Sequence, residues 1–446
     1  MDELLQPGAV VIEELKLINQ YEKEADIVNF YREFNIFEDM QSPCIYAEIL
    51  MLDNINLISR FPIVGNEMVV VKLRTPTFDD TPEKVIEKIF HVYGIKNRTV
   101  NGDKQAAYTL ELISAEGYLD LQTTLTQSFS GSTDELVIKI FEDHLTYNEN
   151  SSIYVNGTPH KTNIKYTSNY WSPFKNLSYI SRRAQADTGQ ATDFLFYESK
   201  NGFMFCSPER LISTQKKAGI FDEYVYELVP DTFKRGTSGL NHYGSRLSNE
   251  MTRTISVTAP KIIDSISGIQ NGYFASAIRS YDLTTKKLTE TVFDMSEQAA
   301  NFEKTADGVP VPKKLSGNPY NHTKFIPVNS SLYNDYGITN NPEINNAFPA
   351  DYIINKTHFR NSYLNSLLHT RFEIVIHGRT DIAVGQCINF LYPSTGTKGD
   401  TDTADESVDK FLSGIFLITA IRHQIQDNKH VIKAEIVKNG FNLSVN

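Results

Sequence analysis

Two carboxylates a few ångström apart suffice for glycoside hydrolysis, so adjacent acids are the first groups to weigh in this 446-residue sequence. Glu38 and Asp39 close the β-prone run "NFYREFNIFEDM". Neighbours in a strand point to opposite faces, so these two cannot flank one bond. Glu142, Asp143 and His144 fall late in the amphipathic run "STDELVIKIFEDHL" and belong to its solvent face. The ten histidines do not cluster. His369 and His377 straddle a helix-to-strand transition. His423 and His430 share a hairpin face but lie diagonally, which reads as packed or solvated histidine rather than a metal site. Trp171 with Tyr166 and Tyr170 has the makings of a sugar platform, although aromatics in "KYTSNYWSPF" more commonly plug the approach to a helix.

The stronger catalytic signatures are absent. There is no Gly-rich phosphate loop followed by Lys-Ser/Thr and no dinucleotide fingerprint. HExxH, CxxC and a GxSxG elbow are missing as well. Cys44, Cys206 and Cys387 are far apart and odd in number, which offers neither a disulfide framework nor zinc spacing; each sits in an apolar run as a small core residue. The net charge of −11 opposes a general attraction for nucleic acid, and no basic cluster offsets it. The start "MDELLQPGAVVIEEL" is acidic and lacks a basic region before its apolar part, so no secretory signal is expected. No run reaches the roughly 18 apolar residues of a membrane span, and a soluble, cytoplasmically folded chain is expected.

The elements that would position any site are mostly strands. Residues 1–113 read as a β-rich unit with "NFYREFNIFEDM", "PCIYAEILML", "EMVVVKLRT" and "QAAYTLELISAE" as strands. Asp53 is placed to cap a short turn before Pro62 and Gly65. "TPEKVIEKIFHVYGI" predicts a helix, with Thr81 as cap, Pro82 in the first turn, Val85, Ile86, Ile89 and Phe90 on one face and Gly94 as stop. Residues 114–213 form a small α+β insert. It holds a helix with a Ser132/Glu135 capping box, a second helix over "SPFKNLSYISRRAQA", and the hairpin "DFLFYES"–"GFMFCSP" turning at Lys200-Asn201. Sheet returns over 214–300, with a helical piece near "PKIIDSI". Residues 301–360 are polar, rich in Asn and Pro, and read as an irregular excursion. Residues 361–446 resume with a helix and strands.

The most regular stretch is "SGIFLITAIRHQIQDNKHVIKAEIVKNG", residues 413–440. Asp427-Asn428 suits a two-residue hairpin turn, because both types tolerate φ > 0. That turn sets Ile425 opposite His430, His423 opposite Ile432, Ile421 opposite Ala434 and Thr419 opposite Ile436, with aliphatics gathered on one face. The wet face carries Arg422, Gln424, Gln426, Lys429, Lys433 and Glu435. Arg422 and Lys433 fall directly opposite each other, a mildly unfavourable pair that Glu435 or a partner's carboxylate would relieve.

Three stretches together resemble the central baseplate hub protein of contractile-tailed bacteriophages. They are "FNIFEDMQSPCIYAEILMLDNINLISRFPIVGNEMVVVKLRTP", with Ile36, Phe37, Glu38, Asp39, Asp53, Leu57, Pro62, Gly65 and Glu67; "PFKNLSYISRRAQADTGQATDFLFYESKNGFMFCSPERL" with "NGYFASAIRSYDLTTKKLTETVFD"; and "FEIVIHGRTDIAVGQCINFLYP" with the terminal hairpin. The resemblance implies a β-dominated α+β chain of two tube-type antiparallel β-barrel domains, 1–113 and 214–300 plus 361–446, around the 114–213 insert. It implies a homotrimer whose six barrels match a sixfold tail tube protein above and a trimeric spike protein below, with other baseplate proteins around it. Genomic DNA would be present only in transit. No catalytic residue, cofactor, metal or stable membrane association is implied, and the location would be the tail baseplate of a virion assembled in host cytoplasm. Two β-rich regions that each mix antiparallel strands with helix are what an internal duplication would leave. The expected working surface is the wet hairpin face of Arg422, Lys433 and Glu435, meeting a channel or another subunit. A tail-associated cell-wall hydrolase and a glycan-binding module are the competing expectations.

Overall fold

The structure, a computed structural model, describes residues 6–76, 78, 81–101, 105–148, 151–155, 163–186, 191–219, 221–225, 251–283, 286–298, 301–306, 308, 322–328, 349–393 and 408–441. The chain is a β-dominated α+β protein built on one 13-stranded sheet. Its first unit contains β1 (Val11–Ile18), β2 (Glu24–Asp26), β3 (Tyr31–Asp39), β4 (Tyr46–Asp53), β5 (Met68–Arg74), β6 (Val85–Asn101) and β7 (Gln105–Ser114). The short helix α1 (Leu57–Arg60) follows β4, and Asp53 holds its entry by accepting the N–H of Leu57 at 2.6 Å. Glu67 does the same for the next loop, with its fully buried carboxylate accepting the N–H groups of Val64, Gly65 and Asn66.

The helix expected over residues 81–94 is absent. Only a 3-10 turn, Pro82–Lys84, forms before the 17-residue strand β6. Thr81 and Pro82 are valid start signals, but the run beyond them is dense in Val, Ile, Phe and Tyr, whose branched or aromatic side chains favour a pleated surface. Strands β5 and β7 lie ready to pair on either side of it. Gly94 is no helix stop: it sits beside a β-bulge, where an added Cβ would lie 2.7 Å from Glu111 Oε2.

The insert comprises α2 (Ala115–Gln122), β8 (Ser128–Ser132), α3 (Thr133–His144), β9 (Ile153–Val155), β10 (Asn163–Thr167), α4 (Pro173–Ser181), β11 (Leu195–Ser199), β12 (Gly202–Cys206) and α5 (Pro208–Ala218). The Ser132/Glu135 capping box is formed, the Lys200-Asn201 hairpin turns as expected, and Leu136, Val137, Ile140 and Phe141 of α3 pack with Leu177 and Ile180 of α4.

The second unit holds β13 (Asp222–Val225), β14 (Thr254–Lys261), β15 (Ala275–Asp282), β16 (Leu288–Asp294), β17 (His322–Val328), β18 (Thr370–His377), β19 (Cys387–Leu391), β20 (Gly414–Gln426) and β21 (Lys429–Lys438). The helical piece near "PKIIDSI" starts later than expected: β14 runs through Pro260, and the helix occupies Ser265–Gln270, capped by Asp264. Within the 301–360 excursion, β17 pairs in parallel with β15, and a helix, Pro349–Leu367, begins; most of the rest lies outside the described residues.

The two units repeat one plan. The first runs β3-β4-β7-β6-β5 and the second β14-β18-β21-β20-β19, every neighbouring pair antiparallel. A bulge falls at the same place in each, between Val92 and Gly94 of β6 and between Ile418 and Ala420 of β20. On the neighbouring strands a glutamate faces a glutamate in both, Glu48 with Glu111 and Glu373 with Glu435. The units join where β20 pairs with β3, so the sheet passes from one to the other. No closed barrel forms among the described residues. A single bridge from Ala9 to Lys429 brings the start of the first unit back to the hairpin tip.

Three apolar clusters result. Leu15, Phe34, Ile49, Val71, Phe90 and Leu110 fill the first unit, Ile374, Phe390, Phe416, Ile421, Ile432 and Ile436 the second, and Phe129, Val137, Phe141, Leu177 and Phe205 the insert. Ile425, near the hairpin tip, belongs to the first cluster, while the rest of its hairpin belongs to the second. Cys44, Cys206 and Cys387 are buried free thiols. Among the described residues no helix is long and apolar enough to cross a membrane.

Candidate functional site

The terminal hairpin turns as its sequence requires. Asp427 and Asn428 have φ of 49° and 60°, and Ile425–His430, His423–Ile432 and Ile421–Ala434 are cross-strand partners. The bulge at Thr419 displaces the last expected pair, so Ile436 meets Ile418 instead. Arg422 and Lys433 do stand opposite each other. Within the chain, relief comes not from Glu435 but from β3, where Arg422 crosses the joint to Glu33 (3.0 Å) and Asn35 (2.9 Å). Glu435 is engaged by Arg371 at 3.0 Å and Thr419 at 2.8 Å. In the first unit Lys96 bridges the repeated glutamates, at 2.5 Å from Glu48 and 2.9 Å from Glu111. These pairs are partly exposed and screened by water, so each adds little to stability. Together they make a hydrated surface of alternating charge across β18, β21, β20, β3, β4, β7 and β6.

The opposite face of the same joint is dry and carries three ionisable groups. His423 Nε2 lies 2.9 Å from Glu38 Oε1, and His423 Nδ1 lies 3.0 Å from His430 Nε2. All three side chains are buried. Glu38 also accepts the backbone N–H of Lys200 at 3.1 Å, so β3, the terminal hairpin and the insert hairpin meet on one carboxylate. Burial alone would raise the Glu38 pKa, but the hydrogen bond and charge of His423 and the Lys200 N–H outweigh it, and the group lies below the usual glutamate value. Burial, reinforced by His423, holds His430 well below an ordinary histidine. His430 thus meets the chain through Nε2 alone, and its Nδ1 has no hydrogen-bond partner among the described residues. The ring is clamped by glycine: a Cβ on Gly378 would fall 2.1 Å from His430 Cγ, and one on Gly8 2.7 Å from the His430 carbonyl oxygen.

The insert is fastened beside this joint. Glu198, wholly buried, accepts Lys88 Nζ at 2.8 Å and the Ile45 N–H at 2.9 Å. Lys200 Nζ donates to the Glu83 carbonyl at 2.6 Å, and burial pulls its pKa down to about 8. Farther out, Asp193 receives Ser207 and the Glu209 N–H, while Arg360 donates to the carbonyls of Thr192 and Phe194.

The other chemical candidates are spread apart. Asp39 is exposed while Glu38 is buried, so the pair points to opposite faces. Glu142 and Asp143 are exposed on α3. His369 packs among Tyr273, Phe274 and Phe441. Trp171 packs with Tyr166 and Tyr179 under Lys175, and Tyr170 points away at 75% exposure. No group of three or more His, Cys, Asp or Glu placed to hold a metal occurs among the described residues. Sequence reasoning missed Glu33, Glu198 and the Glu38–His423–His430 chain. For the last a signal was present: Glu38 shares strand parity with Phe34 and Ile36, and an acid on an apolar stripe demands a buried partner.

No family model matches this sequence, and no curated protein does either. Solved structures do match. A tail protein from Neisseria meningitidis MC58 superposes with a TM-score of 0.51 at 8% identity, over 97% of this chain and 97% of that one. The 43 kDa tail protein of prophage MuSo2 from Shewanella oneidensis gives 0.52 at 8% identity, over 96% of this chain and 98% of its own. At such identity the likeness is one of fold, and it extends over nearly the full length of all three chains.

Proposed function

We propose that this chain is a structural, non-catalytic subunit at the hub of a contractile-tail baseplate, acting as a homotrimer that joins a sixfold tail tube to a trimeric spike and leaves a channel for the genome. The observation that carries the reading is the duplicated strand plan in a chain whose fold is that of phage tail proteins. Two similar units per chain and three chains give six similar positions, which is how a threefold object meets a sixfold one. On this reading each unit is one tube-type barrel, helped toward closure by the Ala9–Lys429 bridge. The hydrated face holding Arg422, Lys433 and Glu435 lines the channel or meets a neighbour.

A surface whose cations are largely matched by glutamates of the same chain suits a conduit, because DNA would find few uncompensated charges to grip. The test is mass and capture. Light scattering of the purified chain should give three times 50.5 kDa, alone or with its spike, and tube and spike proteins should co-purify with it. A stable monomer that binds neither would refute the proposal.

A further inference from the structure

The insert meets both units around an open cleft of about 650 Å³, a size within the range of small-ligand sites. Part of its lining is the outer face of the insert sheet. In the parallel pair β12–β9, Met204 stands beside Tyr154, and strand alternation turns both away from the insert core that Phe203 and Ile153 pack into. Tyr154 is 55% exposed, so an aromatic ring lies largely bare in the cleft with a thioether next to it. The two units supply the rest: Glu83 and Lys84 from the 3-10 turn before β6, and Asp381 and Gln386 from the loop before β19. Ser152 and Asn201 complete the lining.

These groups are fixed before any ligand arrives. Lys200 Nζ donates to Asn201 Oδ1 at 2.8 Å as well as to the Glu83 carbonyl, and Thr380 Oγ1 donates to the Lys84 carbonyl at 2.6 Å. Gln386 is held at both ends of its amide, accepting the Ala383 N–H and donating to the Asp381 carbonyl, each at 3.1 Å. On the insert side the Ser152 carbonyl accepts the Phe203 N–H at 2.9 Å, and only glycine at 202 permits that approach, since a Cβ there would lie 2.8 Å from Ser152 Oγ. A lining already ordered by the fold loses little further freedom on binding. What its internal bonds leave over is specific. The Glu83 carboxylate, the Ser152 and Tyr154 hydroxyls and the Asn201 amide nitrogen have no hydrogen-bond partner among the described residues. Charge, by contrast, is already matched: Arg379 takes both oxygens of Asp381 at 3.0 and 2.6 Å, and Glu83 lies between its neighbour Lys84 and the Lys200 ammonium on its own carbonyl.

The ligand that suits such a cleft is uncharged, carries several hydroxyls and has an apolar face to lay on a ring. A pyranose has all three. We propose that the cleft binds a neutral saccharide, its ring face on Tyr154 and Met204 and its hydroxyls shared among Glu83, Ser152 and Asn201. The site holds a sugar without cleaving it, because hydrolysis takes two working carboxylates and Asp381 is committed to Arg379. It is distinct from the aromatic cluster around Trp171, which is not part of the lining. Saccharide binding is a second activity beside the hub role and does not rest on it.

Titration calorimetry of the full chain against glucose, galactose and N-acetylglucosamine, and against maltotriose, lactose and chitotriose, tests the site. At least one of these should saturate a single site with a Kd of about 1 mM or tighter. Tyr154→Ala and Glu83→Gln, both at exposed positions, should keep the parent circular dichroism and weaken that binding at least tenfold. Lys175→Ala, beside Trp171, should leave it unchanged, and Trp171 emission should not move. Failure of every sugar to saturate at tens of millimolar overturns the proposal. So does binding that survives both cleft variants or is lost in Lys175→Ala, since the sugar then sits elsewhere. Binding of phosphate or spermidine in place of the neutral sugars overturns the ligand class. The mass and capture that test the hub role are independent of all these outcomes.

Discussion

His430→Gln should change how stability depends on pH more than it changes stability itself. In the native chain the ring is buried, pressed on Gly378, and bonded through His423 to an ionised Glu38. Its folded pKa is depressed, so the unfolded chain takes up a proton near pH 6.5 that the folded chain refuses. Stability from this group is therefore complete above about pH 6.5 and is lost as pH falls below it, by up to about 1.4 kcal/mol per pH unit. Between pH 6.5 and 5 the loss is at most about 2 kcal/mol. Glu38, whose pKa is lowered, loses its contribution only at more acid pH, below the ordinary glutamate range. Glu209, pushed up to about 8 by burial, has the opposite sign, gaining stability as pH falls, but it does so equally in parent and variant. Urea unfolding of both proteins from pH 7.5 to 5 isolates the ring in the difference. At pH 7.5 the variant should be weaker by about 1 kcal/mol for its altered hydrogen bond. That gap should shrink, and can reverse, by pH 5. A gap that stays constant across the range would refute the account of a neutral, buried His430.

Three further outcomes follow from the same geometry. Gly378→Ala places a methyl 2.1 Å from His430 Cγ and should cost about 1–3 kcal/mol or more, read as a lower urea midpoint. Glu38→Ala removes the acceptor shared by His423 and Lys200 and should cost about 3–5 kcal/mol, whereas Arg422→Ala, on the wet side of the same joint, should change the midpoint by under about 1 kcal/mol. Trp171, the sole tryptophan, is already packed beneath Lys175, so its emission should not shift on titration with soluble peptidoglycan fragments; a saturable shift abolished by Lys175→Ala would reopen the glycan reading.

Much of the strand content was legible because β-branched runs announce themselves. The terminal hairpin was readable to the residue as far as Thr419, since Asp427-Asn428 fixes a register that only a bulge can shift. The bulge itself was not: nothing local to Thr419 distinguishes it, and it shows only against the partner strand. Residues 81–94 misled because start signals for a helix precede a sequence that two waiting strands can pair with. The Glu38–His423–His430 chain escaped for a different reason. Glu38 lies 385 residues from His423, and no periodicity within one segment reports which residues of another will meet it. The repeat of strand order was equally hidden, because β15, β16, β17 and a long helix interrupt the second copy between β14 and β18.

The hairpin tip bears on the order of synthesis. Ile425 completes the apolar cluster of the first unit, the Asn428 carbonyl accepts the Val10 N–H at 3.1 Å, and His430 donates its backbone N–H to the Gly8 carbonyl and accepts the Gly378 N–H. The terminal hairpin must therefore be made before the first unit can be finished, and until then β3 lacks its neighbour. Contacts of such sequence separation form late. The first unit is thereby made dependent on the second, because it takes its native edge only when β20 supplies it.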